Sequence, residues 1–400
     1  MKKLNTVIAI LFIAITTEGF TQLTQSQVET FFNRFTDRTE RFEQLFSNSF
    51  LDKVPVTQLT RIRDDFERRY GKFVKAEIES GNNCKIYYEK AVFPCIIAFE
   101  PNGQVSTLWF GAPSMQNDKI EQIKKELEAI EGVLSICIRK DGEELFSIKK
   151  DLPLAVGSTF KLYVLKALIE KINEGRLHWD DTLIVDDVHR SLPSGVLQNW
   201  PNGHTLTIAT AANLMISISD NTATDLLIDK IGREYIEKFT PSTMRPLFKT
   251  REIFILKLGK DEKFVNWFLQ ADSKTKRVVL EYLDTFDIKT LDPTLFTSPR
   301  FIKLEWYATT EDLCRTIESL KDVPALSINS GFLKKEEWFY IAYKGGSEPG
   351  VLNYTYLVQK KDTAPLYSIS ATINNAEHNV DDNNEFTLLI KRIIDLVNKE

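Results

Sequence analysis

Three short runs carry residues that together could open a carbonyl: Ser158-Thr159-Phe160-Lys161, Ser219-Asp220-Asn221, and Lys344-Gly345-Gly346 within YKGGSEPG, Tyr343 to Gly350. A serine hydroxyl is a poor nucleophile until a neighbouring base takes its proton. A lysine can be that base only where burial or nearby positive charge lowers its pKa. Three residues apart on a helix, Ser158 and Lys161 share one face. Ser147 with Lys150 and Ser273 with Lys276 repeat the spacing by chance, so context has to separate them. Ser158 follows PLAVG and opens the amphipathic KLYVLKALIEKI. There a helix N-terminus offers free N–H groups and a positive potential. The same position also suits a plain N-cap. Ser219-Asp220-Asn221 interrupts two apolar helical stretches in AANLMISISDNTATDLLIDKIG, a poor choice for a helix interior. An N-cap accounts for one of those polar residues, not three.

YKGGSEPG admits a phosphate loop, a hairpin turn or one wall of an acyl-transfer site. A phosphate loop needs its lysine after the glycines and a helix beyond; here the lysine comes first and a strand follows. Gly-x-Ser-x-Gly is absent, which removes the usual nucleophile elbow. Four cysteines without a Cys-x-x-Cys and four scattered histidines give a metal site little support, and no cofactor is expected. A net charge of −5 argues against a nucleic-acid partner and otherwise says little about partners.

At 400 residues the chain is long enough for two domains. Lys2 and Lys3 precede the apolar run Val7 to Ile15 and a polar exit, the pattern of an export signal over residues 1–21. The run is too short for a comfortable membrane span, so a periplasmic or secreted protein without a stable span is expected once the signal is removed. Export permits disulfides; Cys84 and Cys95 lie on apparent neighbouring strands and could pair or remain buried thiols, while Cys137 and Cys314 lie far apart in sequence.

Residues 23–75 read as helices, with Phe31, Phe32, Phe35, Phe42, Leu45, Phe46 and Phe50 on a roughly helical period up to Val54-Pro55. Strands follow over Cys84 to Glu100 and after the turn at Pro101-Asn102-Gly103. That order predicts a small α+β domain over 23–112, with a curved NTF2-like (cystatin-like) sheet wrapped by helices. Gly111 to Asp118 has linker composition. Beyond it come a helix marked by Ile120, Ile123, Leu127 and Ile130, and a hairpin turning at Asp141-Gly142. A long helical middle, three closing strands and a last helix with Phe386, Leu389, Ile390, Ile393, Ile394 and Val397 inward complete the chain. Residues 117–400 are thus expected to form one domain whose antiparallel sheet draws on both of its ends.

Serine-Lys, Ser-Asp-Asn and Lys-x-Gly in this order are the three boxes of the penicillin-recognising serine enzymes. LPSGVLQNWPNGHTLTIATAANLMISISDNTATDLL, Leu192 to Leu227, resembles class A β-lactamases well beyond those boxes, and the similarity extends over roughly residues 118–400. It is most similar to the hydrolases related to the cephalosporin esterase-like protein of clavulanic acid clusters, which also place an NTF2-like domain first. The resemblance implies an α/β class A β-lactamase-like domain and an acyl-enzyme mechanism acting on a small-molecule substrate, a β-lactam, ester or peptide-like amide. Ser158 would be the nucleophile, Lys161 its base, and Ser219 a proton shuttle. Asn221 would hold the substrate's amide side chain and Lys344 would face its carboxylate, with Gly345 and Gly346 along the binding edge. The N–H groups of Ser158 and Ser347 would form the oxyanion hole.

Three departures accompany the resemblance. No Glu-x-x-x-Asn loop appears between the second and third boxes; TREIFILKLGKDEKFVNWF stands there, with Glu252 and Glu262 as candidates by position and solvated helix positions as the plainer expectation for both. The strand GVLNYTYLV lacks the arginine that often binds the β-lactam carboxylate. Gly345 replaces the usual hydroxyl residue of Lys-Thr-Gly. These losses touch carboxylate binding and deacylation, not acylation, and favour an esterase, amidase or weak β-lactamase. A non-turnover penicillin-binding or sensing protein and a cell-wall D,D-peptidase are the alternatives.

Overall fold

A computed structural model describes residues 23–111, 113–381 and 384–397; the expected export signal lies outside them. The chain divides into two compact units, Met1–Ala129 with Asp382–Glu400, and Ile130–Asp381.

In the first unit, Thr24 and Gln27 form a capping box that starts α1 (Gln25–Thr36), which buries Val28, Phe31, Phe32 and Phe35. The phenylalanine period does not continue as one helix. Asp37 accepts hydrogen bonds from the Thr39 N–H and hydroxyl, both at 2.8 Å, and this local turn ends α1. Phe42, Leu45, Phe46 and Phe50 reach the same core from two single-turn helices, Phe42–Leu45 and Asn48–Leu51, and the residues after them. Helix α2 (Val56–Tyr70) stops at Gly71, whose φ of +81° suits glycine. Four antiparallel strands follow in sequence order: β1 (Phe73–Ser80), β2 (Asn83–Tyr88), β3 (Ala91–Phe99) and β4 (Val105–Phe110). Their inner face packs on the helices through an aromatic cluster, with Phe66 stacked on Phe93 at 4.7 Å. This is an α+β unit. The linker-like segment contains a two-residue strand, Ser114–Met115, paired with β3. Helix α3 (Ile120–Glu128) and the terminal helix Glu385–Val397 also belong to this compact unit. Arg392 joins them, holding Asp118 at 2.6 Å and Glu126 at 2.6 Å. Cys84 and Cys95 face each other across β2 and β3 as buried free thiols.

The second unit is built on a five-stranded antiparallel sheet. Its strands are β5 (Val133–Lys140), β6 (Glu143–Ile148), β7 (Tyr340–Glu348), β8 (Val351–Gln359) and β9 (Leu366–Asn374), in the spatial order β7-β8-β9-β5-β6. Asp141 and Gly142, both at positive φ, make the β5–β6 turn as expected. Between β6 and β7 lie α4 (Lys161–Asn173), α5 (Ile208–Ser217), α6 (Asn221–Ile231), α7 (Thr250–Gly259), α8 (Glu262–Gln270), α9 (Ser273–Leu283) and α10 (Thr310–Ser319). Helix α4 is buried nearly all round, and its apolar residues join those of α5, α6 and α10 in the main core. The segment from α7 to Leu304 closes a smaller core of its own around Ile255, Leu256, Val265 and Phe268. Cys137 and Cys314, distant in sequence, meet inside this unit, where the Cys314 thiol donates to the Cys137 carbonyl at 3.4 Å.

Candidate active site

Ser158 lies in a 3₁₀ turn, Gly157–Phe160, and α4 begins at Lys161. It caps nothing with its side chain. Three contacts fasten this turn. Phe160 stacks on Trp306 at 3.9 Å. The Thr159 hydroxyl donates to Asn353 Oδ1 at 2.8 Å, and the Asn374 amide bonds both backbone groups of Ala155 at 2.8 and 2.9 Å. Gly157 has φ +50°, a left-handed value that would strain a side chain.

The second box sits where α5 ends and α6 begins. Asp220 is the N-cap of α6: it accepts from Ala223 N–H at 2.8 Å, and also from Val196 and Leu197 N–H at 2.7 and 3.0 Å. Capping thus explains one of the three polar residues. Ser219, at φ +57°, turns its hydroxyl to the two lysines. Asn221 accepts from Lys161 Nζ at 2.6 Å and donates to Leu192 O at 2.6 Å, so its amide positions the lysine.

Lys161 is fully buried and lies 2.6 Å from Ser219 O and 3.1 Å from Ser219 Oγ. Burial, aided by the charge of Lys344, pushes its pKa well below the ordinary lysine value. A neutral amine has two hydrogens and one lone pair. The Ser219 carbonyl and Asn221 amide oxygens can only accept, so they take both hydrogens and leave the lone pair toward the hydroxyls. No hydrogen bond among the described residues yet joins Lys161 to the Ser158 hydroxyl. Lys344 approaches Ser219 Oγ at 3.2 Å, and burial lowers its pKa to about 7.

The third box lies within β7, short of its end, paired along its length with β8. A Cβ on Gly346 would stand 2.7 Å from Ser158 N and 2.8 Å from Thr159 N. A Cβ on Gly157 would stand 3.3 Å from Ser347 N. The strand therefore passes the Ser158 turn at backbone contact, which only glycine permits. Ser158, Ser219, Lys344, Gly345, Gly346 and Ser347 all line one cleft of about 450 Å³. Lys161 and Asn221 lie behind it.

None of the described residues lining the cleft is a carboxylate or a histidine. Glu252 is fully buried, not solvated: it accepts the Lys249 N–H at 2.7 Å and pairs with Arg233. Glu262 is exposed in the first turn of α8. Neither lines the cleft. No group of three metal-ligating side chains occurs among the described residues.

Sequence reasoning missed Asn353, Asn374 and Ser194, whose hydroxyl donates to Ser219 O at 3.0 Å. Partners this far apart leave no local signal, though an asparagine in an otherwise apolar central strand is itself unusual.

A solved β-lactamase from Sphaerobacter thermophilus superposes with a TM-score of 0.51 at 18% identity, covering 71% of this chain and 99% of that one. The fold is class A β-lactamase-like. Residues 118–251, which hold the first two boxes, match the model of the β-lactamase enzyme family. Beta-lactamase VEB-1 from Pseudomonas aeruginosa is 28% identical over 124 residues, 30% of this chain; the chain spans 41% of the length of that curated relative. The chromosome-encoded β-lactamase of Vibrio parahaemolyticus is similar at a TM-score of 0.48 and 17% identity, over 70% of this chain and 98% of that one. Among the described residues, no helix of this β-lactamase-like chain is long and apolar enough to cross a membrane.

Proposed function

We propose that this protein is a serine hydrolase that acylates Ser158 with a β-lactam, ester or peptide-like amide and releases the acyl group slowly. The observation that carries this is the convergence of Ser158, Ser219 and Lys344 on one cleft, with Lys161 buried behind them in a form that favours the neutral amine.

Neutral Lys161 takes the Ser158 proton as Oγ bonds to the substrate carbonyl carbon. Charge on the carbonyl oxygen is held by the N–H groups of Ser158 and Ser347, donors worth about 10²–10³ in rate each. The C–N or C–O bond then breaks as the Ser219 hydroxyl protonates the leaving atom, and Ser219 recovers a proton from the Lys161 ammonium. Neutral Lys161 next accepts a proton from water as it attacks the acyl carbon, and Ser158 leaves reprotonated. With no carboxylate among the described residues lining the cleft, Lys161 is left as the base for this last step, which favours slow turnover. The same observation supports the second reading, a penicillin-binding protein that holds its acyl group; a D,D-peptidase would need faster release.

The N-terminal unit is proposed to be NTF2-like on its helix-then-meander order, and a periplasmic or secreted location is proposed on the leader-like sequence of residues 1–21. Labelling with a fluorescent penicillin tests the core of this reading. Wild type takes up label and Ser158→Ala does not; equal labelling of both refutes it.

A further inference from the structure

Gly345 removes a hydroxyl from the substrate edge, and the structure returns one from two residues away. Residues 343 and 345 project to the same face of β7. The Tyr343 side chain folds over Gly345, so that a Cβ there would collide with the Tyr343 hydroxyl and lie 2.9 Å from its Cζ. Gly331 makes room from a separate loop: at φ +61°, its Cβ would lie 2.9 Å from the same Cζ and meet the Tyr356 hydroxyl. Tyr356 stacks on Tyr343 at 4.5 Å, and its own hydroxyl accepts the Phe332 N–H at 3.1 Å. Two glycines and one stacked ring thus hold the Tyr343 phenol in the cleft, beside Lys344 and Ser347, while Tyr354 lines the cleft as well. Burial raises its pKa, with a smaller push from Tyr354 and none from a hydrogen bond. It stays a neutral O–H donor, suited to a charged acceptor.

We propose that the Tyr343 hydroxyl is the substrate-contacting donor that replaces a hydroxyl at position 345, anchoring a carboxylate oxygen of the acyl donor opposite Lys344. The proposal rests on the acyl-enzyme reading and narrows its substrate class to acyl donors that carry a carboxylate. A phenol on a clamped ring also keeps its O–H near the ring plane, where a threonine hydroxyl would rotate freely. Selectivity should therefore depend on the ring's seat as well as on the oxygen.

The test compares second-order acylation rates for benzylpenicillin and the neutral ester p-nitrophenyl acetate, with melting temperature as a folding check. Tyr343→Phe keeps the ring and its stacking. It is expected to slow the penicillin about tenfold or more relative to any slowing of the ester, the size of a lost hydrogen bond to a charged group. Tyr343→Ala combined with Gly345→Thr clears the collision and restores a local hydroxyl, and is expected to regain part of the preference for penicillin. Equal slowing of both donors by Tyr343→Phe, or no slowing, overturns the proposal alone. A wild type that takes up neither acyl group contradicts it together with the reading beneath it.

Discussion

Gly346 shows how much of the site is backbone. Its Cα passes so close to the Ser158 and Thr159 amides that a methyl group would displace them. Gly346→Ala is therefore expected to lower the acylation rate by about 10²-fold or more, as when an oxyanion donor is lost; stopped-flow acylation with an unchanged far-ultraviolet spectrum would show it. In the proposed mechanism the two buried lysines set the pH dependence. Lys161 would act deprotonated, so acylation is expected to rise as pH passes its lowered pKa. Lys344 would act charged, so acylation by a carboxylate-bearing donor is expected to fall as pH rises through about 7. Lys344→Arg keeps its charge at high pH and is expected to extend the alkaline limb, even at a lower maximum. A pH–rate profile whose alkaline limb is unmoved by that change would show that Lys344 does not set it. That Ser158, Ser219 and Lys344 would come together was legible from the order of the three boxes, and all three line one cleft. Tyr343 was not legible, because its effect depends on two glycines and a ring stacked across strands.

At the level of elements, the nucleophile's turn is tied to the sheet by a buried polar network. Asn353 Oδ1 accepts from Thr159 at 2.8 Å and from Thr355 at 2.9 Å, while its Nδ2 donates to Thr372 at 2.8 Å. Asn353→Leu would strand those hydroxyls in the interior, where each unsatisfied group costs about 1–3 kcal/mol. Denaturant titration should show a stability loss of that order, and acylation should slow as the turn loosens. Neither follows if the network is incidental. This link joins residues 194 positions apart, which no local pattern announces. Elements with a strong period were readable: the β5–β6 hairpin, the three closing strands and the terminal helix stand where alternation and spacing put them. The phenylalanine run misled because its hydrophobic period survives a break in the helix. Asp37 and Thr39 break it locally, and the next rings return to the same core.

At the scale of the molecule, the unit holding the site also buries charge far from any local signal. Lys257 and Glu305 are buried together and Lys257 also pairs with Glu348, the residue after Ser347. Burial first, then the Glu348 charge, pushes the Glu305 pKa well above the usual carboxylate value. A raised folded pKa stabilises fully below the unfolded value, and that contribution is lost as pH rises through the folded one. Glu305→Gln is expected to flatten the decline in melting temperature above the ordinary carboxylate range; an unchanged slope would show that Glu305 is ionised in the folded protein. The fold class of this unit was legible because its sheet strands and three boxes come in a fixed order.

An intact-mass time course with benzylpenicillin reads a covalent acyl group on Ser158 without relying on any reporter. A gain of one penicillin mass, mapped to the Ser158 peptide, persisting over minutes and absent from Ser158→Ala, is the predicted result. An unmodified wild type that leaves the penicillin intact, or an adduct that survives in Ser158→Ala, would rule out acylation at Ser158.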